Sequence, residues 1–235
     1  MSHLHIPDGL LPVWVWGSGL LIALLFLILG SRRARTQSPQ HIAYQGALGG
    51  LMLAAMAIPL GPFEYHVTLA GPMGILLGGA GAFQVAFVVS AILALMGHGG
   101  LTVVGLNALV LGSGAWAAHR VYRAVAPRMR PARALALGTA AGQALAGLLW
   151  FAVVGLSLKL ESAGGATSRH VGAGGPVGLG LGGGFGALAV LAVPLWFLGI
   201  VVESVIAFGL GRFLARVQPG LLPVAPPADP AREVA

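Results

Sequence analysis

The sequence predicts an all-α integral membrane protein, a bundle of about seven transmembrane helices, some short or broken, with the N-terminus outside. Three observations predict it. The 235 residues are 57% hydrophobic and only 8% charged, with a mean hydropathy of +0.90, whereas soluble domains carry about a quarter charged residues. Apolar stretches near the length of about 20 residues that spans a bilayer recur between glycine, proline and arginine breakers. The positive charge is gathered into a few loops. A chain this apolar cannot cover a water-facing surface, and its 38 glycines suit helices whose backbones approach closely in lipid.

The spans follow in order. Residues 13–30 form the first, ended by Ser31 and the arginines 32, 33 and 35. Residues 42–60 form the second, ended by Gly61-Pro62. Later come 134–156, led in by Arg133, and 185–211, followed by Arg212 and Arg216. Between them lies a glycine-rich region whose crossings are settled by the excess of Lys and Arg in cytoplasmic loops. Arg32, Arg33 and Arg35 put the first loop inside, so the second span leads outward. The cluster Arg120, Arg123, Arg128, Arg130 and Arg133 must return inside, which takes an odd number of crossings. Three fit the breakers: 70–81, 82–96 and 101–121. The first is too short to cross at 1.5 Å per residue, so it must be shielded by protein or run on into a buried loop. All Lys and Arg except Lys159 and Arg169 then lie inside.

Three segments result: 1–12 ahead of the first span, a multi-span domain 13–217, and a proline-containing tail 218–235 expected to be disordered and cytoplasmic. The expected location is the inner membrane of a prokaryotic cell, in contact with lipid. Asp8 precedes the first apolar run and the arginines follow it, the reverse of a cleaved signal. The net charge of +7 is read as topology and not as a nucleic-acid surface. No cysteine is present, which excludes disulfides, thiolate metal sites and Cys nucleophiles.

This topology gathers imidazoles on one face. His3, His5, His66 and His98 come to the outside with Glu64, Glu161 and His170, while His41 and His119 fall inside near arginines. His41, His119 and His170 are read as ordinary polar residues of an interface or loop. Neutral imidazole is the commonest protein ligand for Ni, Cu, Zn and Co; Mg or Ca would want several oxygens. An N-terminal amine, the next backbone amide and an imidazole at the second or third residue can wrap a divalent ion in fused chelate rings, a geometry that suits square-planar Ni(II) or Cu(II). With Met1 removed, Ser2 supplies the amine and His3 the amide and imidazole. From composition alone a metal site and a set of interfacial histidines stay about equally good readings.

Two motifs decide between them. His-Ile-Pro-Asp-Gly-Leu-Leu-Pro (5–12) resembles the start of the CbiM/NikM family, the substrate-binding membrane subunits of energy-coupling-factor transporters for cobalt and nickel. Gly-His-Gly-Gly-Leu-Thr-Val-Val-Gly-Leu-Asn (97–107) is similar to a second motif of that family. A weaker match, Glu-Tyr-His-Val-Thr-Leu-Ala-Gly-Pro-Met-Gly (64–74), stands where the family carries a loop histidine, with Pro62-Phe63-Glu64 in place of the usual lead-in. Together these cover roughly the first 115 residues; beyond them the likeness is one of hydropathy.

The resemblance implies a metal site made by the N-terminal amine, the amide and imidazole of the second residue, and the loop histidine. The loop histidine carries over to His66 and the N-terminal one to His5, which is not second in this chain. Either Leu4 marks the true start, the preferred reading, or the extension is real and Ser2-His3 takes over the chelate. His98 closes the site or serves as a first contact for the ion. Asp8 caps or anchors the N-terminal segment. Thr102 and Asn107 support the ligands by hydrogen bonds; for Thr102, capping the helix that starts near Leu101 is an equal alternative.

The implied function is the substrate-capture component of an importer of Co²⁺ or Ni²⁺, with supply of cobalt for cobalamin biosynthesis one implied use. The ion is cargo, and no permanent cofactor is expected. The chain lacks a phosphate-binding G-x-x-x-x-G-K-[ST] loop, so it is no ATPase. Energy would come from partner ATP-binding-cassette subunits through a coupling transmembrane protein, together with a small accessory membrane subunit. The rival is a stand-alone secondary permease, which would want paired carboxylates within the spans, where the chain offers only Glu203. A membrane metalloprotease would want His-Glu-x-x-His, which is absent.

Overall fold

The computed structural model describes residues 6–34, 38–59, 65–163 and 184–223. Six helices account for nearly all of them: α1 (Val13–Ala34), α2 (Pro39–Ala57), α3 (Ala70–Leu95), α4 (Val104–Val125), α5 (Pro131–Ala163) and α6 (Gly184–Val217). Four are long and apolar enough to cross a membrane. Their outward faces carry exposed apolar side chains, such as Leu21 and Leu25 on α1 and Val201 and Val205 on α6. In water that pattern would be a liability; in lipid it is the contact surface.

Local chemistry sets the ends. At the start of α2, Ser38 accepts the His41 N–H on its hydroxyl at 3.3 Å, and Pro39 takes the first helical position, where no N–H is needed. At the end of α3, Gly97 adopts φ +82°. Its N–H donates to the Ala94 carbonyl at 3.1 Å, and the His98 N–H reaches back to Leu93 at 2.8 Å. That double bond pattern is a Schellman stop, which asks for glycine at this position.

The count of six, against the expected seven, turns on α3. The crossings expected at 70–81 and 82–96 are one element broken at Gly78, where φ is 72° and ψ is 166°, a region essentially restricted to glycine. A straight helix of 26 residues would be about 39 Å long. Yet the rings of His66 and His98, which flank it, lie 5.6 Å apart, so the chain reverses at Gly78. The lengths agree. Residues 66–69 can climb at most about 13 Å and helical 70–77 about 12 Å, and helical 79–95 returns over about 25 Å. The break falls three residues ahead of the expected Gly81.

The short arm of this hairpin is enclosed: Ala70, Gly71, Pro72, Met73, Gly74, Ile75 and Leu77 are all buried. α3 touches each of the other five helices and packs most extensively on α4, with α5 and α6 continuing the row. Small residues permit that closeness. A Cβ on Gly74 would run into the Ala115 backbone of α4, and Gly114 and Gly142 face each other across α4 and α5 with no room for a side chain. At the hairpin's closed end, Ile75, Tyr122, Leu135 and Leu214 form one apolar cluster. At its open end, Met52, Met56, Val67 and Met73 form another beside His66.

The C-terminal boundary extends beyond 217. Pro219–Leu221 make a 3-10 turn and Leu222 is buried against the Leu214 cluster, so 218–223 belong to the bundle and not to a disordered tail. Residues 224–235 lie outside the described residues.

Candidate metal centre

The open end of the α3 hairpin gathers the residues that carry chemistry. His66 is buried, and its Nδ1–H donates to the Met56 carbonyl at the end of α2 at 2.6 Å. A carbonyl only accepts, so Nδ1 carries the hydrogen of that bond. This is the usual arrangement of a metal-binding imidazole oriented from behind. The His98 ring meets the His66 ring edge-on at 5.6 Å and 66°, delivered there by the glycine turn after α3.

The N-terminal segment docks at the same end. Ile6 is fully buried among Leu11, Val103, Leu106 and Val154. Its N–H donates to Asn107 Oδ1 at 2.8 Å, and its carbonyl accepts from Asn107 Nδ2 at 3.2 Å and from the Gly100 N–H at 3.3 Å. Two residues on, Asp8 Oδ2 accepts the Leu101 N–H at 2.7 Å, and Oδ1 accepts the Thr102 N–H at 2.9 Å and its hydroxyl at 2.5 Å. Burial pushes the Asp8 carboxyl up. The hydrogen bonds from the Thr102 side chain and the Leu101, Thr102 and Val103 amides outweigh it and hold the group below the usual carboxylate value. Farther along, Ser157 of α5 donates to the Leu10 carbonyl at 2.7 Å.

Asp8 therefore meets Thr102, Asn107 meets the backbone of Ile6, and the segment leading to His5 is bonded to the turn that carries His98. Thr102 is not the cap of α4, which begins two residues later without a side-chain cap. His3 and His5 themselves, like Glu64 and His170, lie outside the described residues. Among the described residues no group of three His, Asp or Glu side chains forms a cluster able to hold a metal; His66 and His98 meet as a pair. His41 begins α2, whose far end touches His66, and His119 lies beside Gly78 at the hairpin's closed end. Neither is near the pair.

Sequence reasoning missed the supports of the His66 loop. Tyr65 donates its hydroxyl to the Gly199 carbonyl of α6 at 3.4 Å. Thr68 bonds to Glu203 of α6 and accepts from Gln143 of α5. The signal for Glu203 was a lone carboxylate in the middle of a span. Thr68 and Gln143 carried none.

Comparison with known proteins shows the family and the fold. Residues 5–221 match the model of the CbiM family, described as the cobalt uptake substrate-specific transmembrane region. A protein of Haemophilus influenzae described as a metal transport protein is 27% identical over 59% of this chain and 68% of its own length. The cobalt transport protein CbiM of Geobacter sulfurreducens is 29% identical over 68% of this chain and 47% of its own. A fused cobalt transport protein CbiMQ of Methanocorpusculum labreanum is 26% identical over 93% of this chain and 36% of its own. The chain thus spans about two thirds of the first of these relatives and half or less of the others. A crystal structure of a transition metal transporter superposes with a TM-score of 0.72, covering 91% of this chain and 93% of the other at 19% identity. This multi-pass prokaryotic membrane protein belongs to the CbiM family of metal-transport proteins.

Proposed function

We propose that the chain captures Co²⁺ or Ni²⁺ from the outer face of the membrane as the substrate-binding component of an energy-coupling-factor transporter. The proposed ligands are His66, an imidazole of the N-terminal segment (His5, or His3 with the longer start) and the amine at the head of that segment, with His98 at the rim. One observation carries this reading. Two histidines from opposite ends of α3 meet at the end of the bundle where Ile6, the neighbour of His5, is docked.

The chemistry follows from the placement. The His66 ring is held through Nδ1 by the Met56 carbonyl, so little rotational freedom remains to be lost on binding. The ion exchanges its water for nitrogen ligands in a buried mouth, while Asn107 and Asp8 hold the backbone that supplies the remaining ones. Nothing in this chain hydrolyses ATP, so transport requires partners. The fused relative joins a CbiM-type segment to further sequence in one polypeptide, which supports a membrane partner in contact with this chain; the ATPase subunits complete the proposal. The lone intramembrane carboxylate, engaged by backbone N–H groups, does not favour a solitary permease.

Titration calorimetry with Co²⁺ and Ni²⁺ tests the reading, comparing a free N-terminus with one extended by a tag. The expected result is a large loss of affinity when the amine is blocked. Equal affinities would remove the amine from the ligand set.

A further inference from the structure

Glu203 lies in α6 with 0% exposure. A carboxyl in such a place is costly unless its oxygens are engaged, so its partners say what it is for. Oε1 accepts the Thr68 N–H at 2.5 Å and the Thr68 hydroxyl at 2.8 Å, and Oε2 accepts the Leu69 N–H at 3.2 Å. Thr68 in turn accepts from Gln143 Nε2 at 2.7 Å, and Trp196 donates to the Gln143 carbonyl at 3.0 Å. Three of these donors belong to the segment between His66 and the short arm of α3, and Gln143 of α5 is a further partner of the carboxyl.

Among the described residues of that segment the only local support is the Thr68 hydroxyl, which accepts the Ala70 N–H at 3.3 Å. Leu69 precedes α3 with φ 53°, a left-handed conformation, and supplies no side-chain cap. The amides just ahead of the helix, those of Thr68 and Leu69, therefore find their acceptor on another helix. Tyr65, on the other side of His66, is tied to α6 as well, at Gly199. The loop is thus fixed to α6 at both flanks of the histidine, and to α2 through the ring itself.

We infer that Glu203 is a positioning residue for His66: by binding the Thr68 and Leu69 amides it holds the loop so that the imidazole enters the site already oriented. The inference rests on the metal-site reading above. Glu203 does not touch the ion in this account; it acts through the backbone between Thr68 and His66. Supports of this kind change metal affinity by about ten- to hundred-fold when removed.

Glu203→Leu and Glu203→Gln test it, with His66→Ala as reference and Thr68→Val as a second route to the same loss should the leucine variant not fold. Hydrogen–deuterium exchange of residues 65–73 is read in the metal-free protein, and Co²⁺ affinity and the visible absorption of the Co²⁺ complex in the loaded one. Glu203→Leu is expected to speed loop exchange at least tenfold and weaken Co²⁺ binding about ten- to hundred-fold. Its absorption should move toward that of His66→Ala. Glu203→Gln, which keeps an acceptor for Thr68, should recover part of each. Unchanged exchange overturns the inference. So does faster exchange with wild-type affinity and spectrum while His66→Ala binds poorly. Wild-type binding by His66→Ala instead overturns the metal-site reading itself, and the positioning role with it.

Discussion

Asn107 holds both backbone groups of Ile6, accepting its N–H at 2.8 Å and donating to its carbonyl at 3.2 Å across 101 positions of sequence. A side-chain amide here plays the part of a neighbouring strand. Both groups are buried, and a buried amide left without a partner costs about 1–3 kcal/mol.

Asn107→Leu should therefore loosen the N-terminal segment and weaken Co²⁺ binding about tenfold or more. Asn107→Asp is nearly isosteric but replaces the donor with an oxygen facing the Ile6 carbonyl, so it should do at least as much harm. Calorimetry on the two variants, with a melting curve of the metal-free protein as control, checks this. The affinity loss should exceed what the change in melting temperature explains.

Asp8 makes docking pH-dependent in a defined direction. Its carboxyl is held below the ordinary value of 3.8, so the stabilisation is complete well above that pH and disappears as pH falls through the lowered value. Asp8→Asn should melt lower than wild type at pH 6, by an amount equivalent to about 1 kcal/mol for a mostly exposed charged acceptor. The two melting temperatures should converge as the pH approaches and passes below 3.8. A constant gap across that range would show that the charge of Asp8 does not hold the segment.

Gly78 and Gly50 give a contrast between two glycines. Gly78 turns the α3 hairpin at φ 72° and ψ 166°, with room for a Cβ, whose nearest neighbour would be His119 Cε1 at 4.0 Å. Gly78→Ala should cost about 1–3 kcal/mol from backbone strain alone. Gly50 sits inside α2 and faces open space, so Gly50→Ala should stabilise by up to about 1 kcal/mol. Thermal unfolding of both variants in one detergent reads the opposite signs.

The bundle was largely legible in the sequence because hydropathy and arginine placement act on whole segments. The first span was expected at 13–30 and α1 runs Val13–Ala34; the last was expected at 185–211 and α6 runs Gly184–Val217. The short arm of α3 was legible as too short to cross and in need of shielding, and it is buried. Its break was misplaced, because several glycines crowd residues 78–81 and only backbone geometry shows which one turns. The glycines around His98 marked a turn for the same reason that Gly97 stops α3.

Long-range hydrogen bonds were not legible. Nothing in the pattern of Thr68, Gln143 or Ser157 shows that Glu203, Thr68 and Leu10 are what they reach. Asn107 could be singled out by motif, yet its partner, the backbone of Ile6, has no side-chain signature at all. Hydropathy places helices; the partner of a buried amide depends on a fold that has already formed.

The most direct test of the central claim is a calorimetric titration of Co²⁺ into purified wild-type protein and into His66→Ala. The account predicts that the substitution lowers affinity by at least a hundredfold while the helical content and the docking of Ile6 persist. Equal affinity in a folded His66→Ala protein would contradict it.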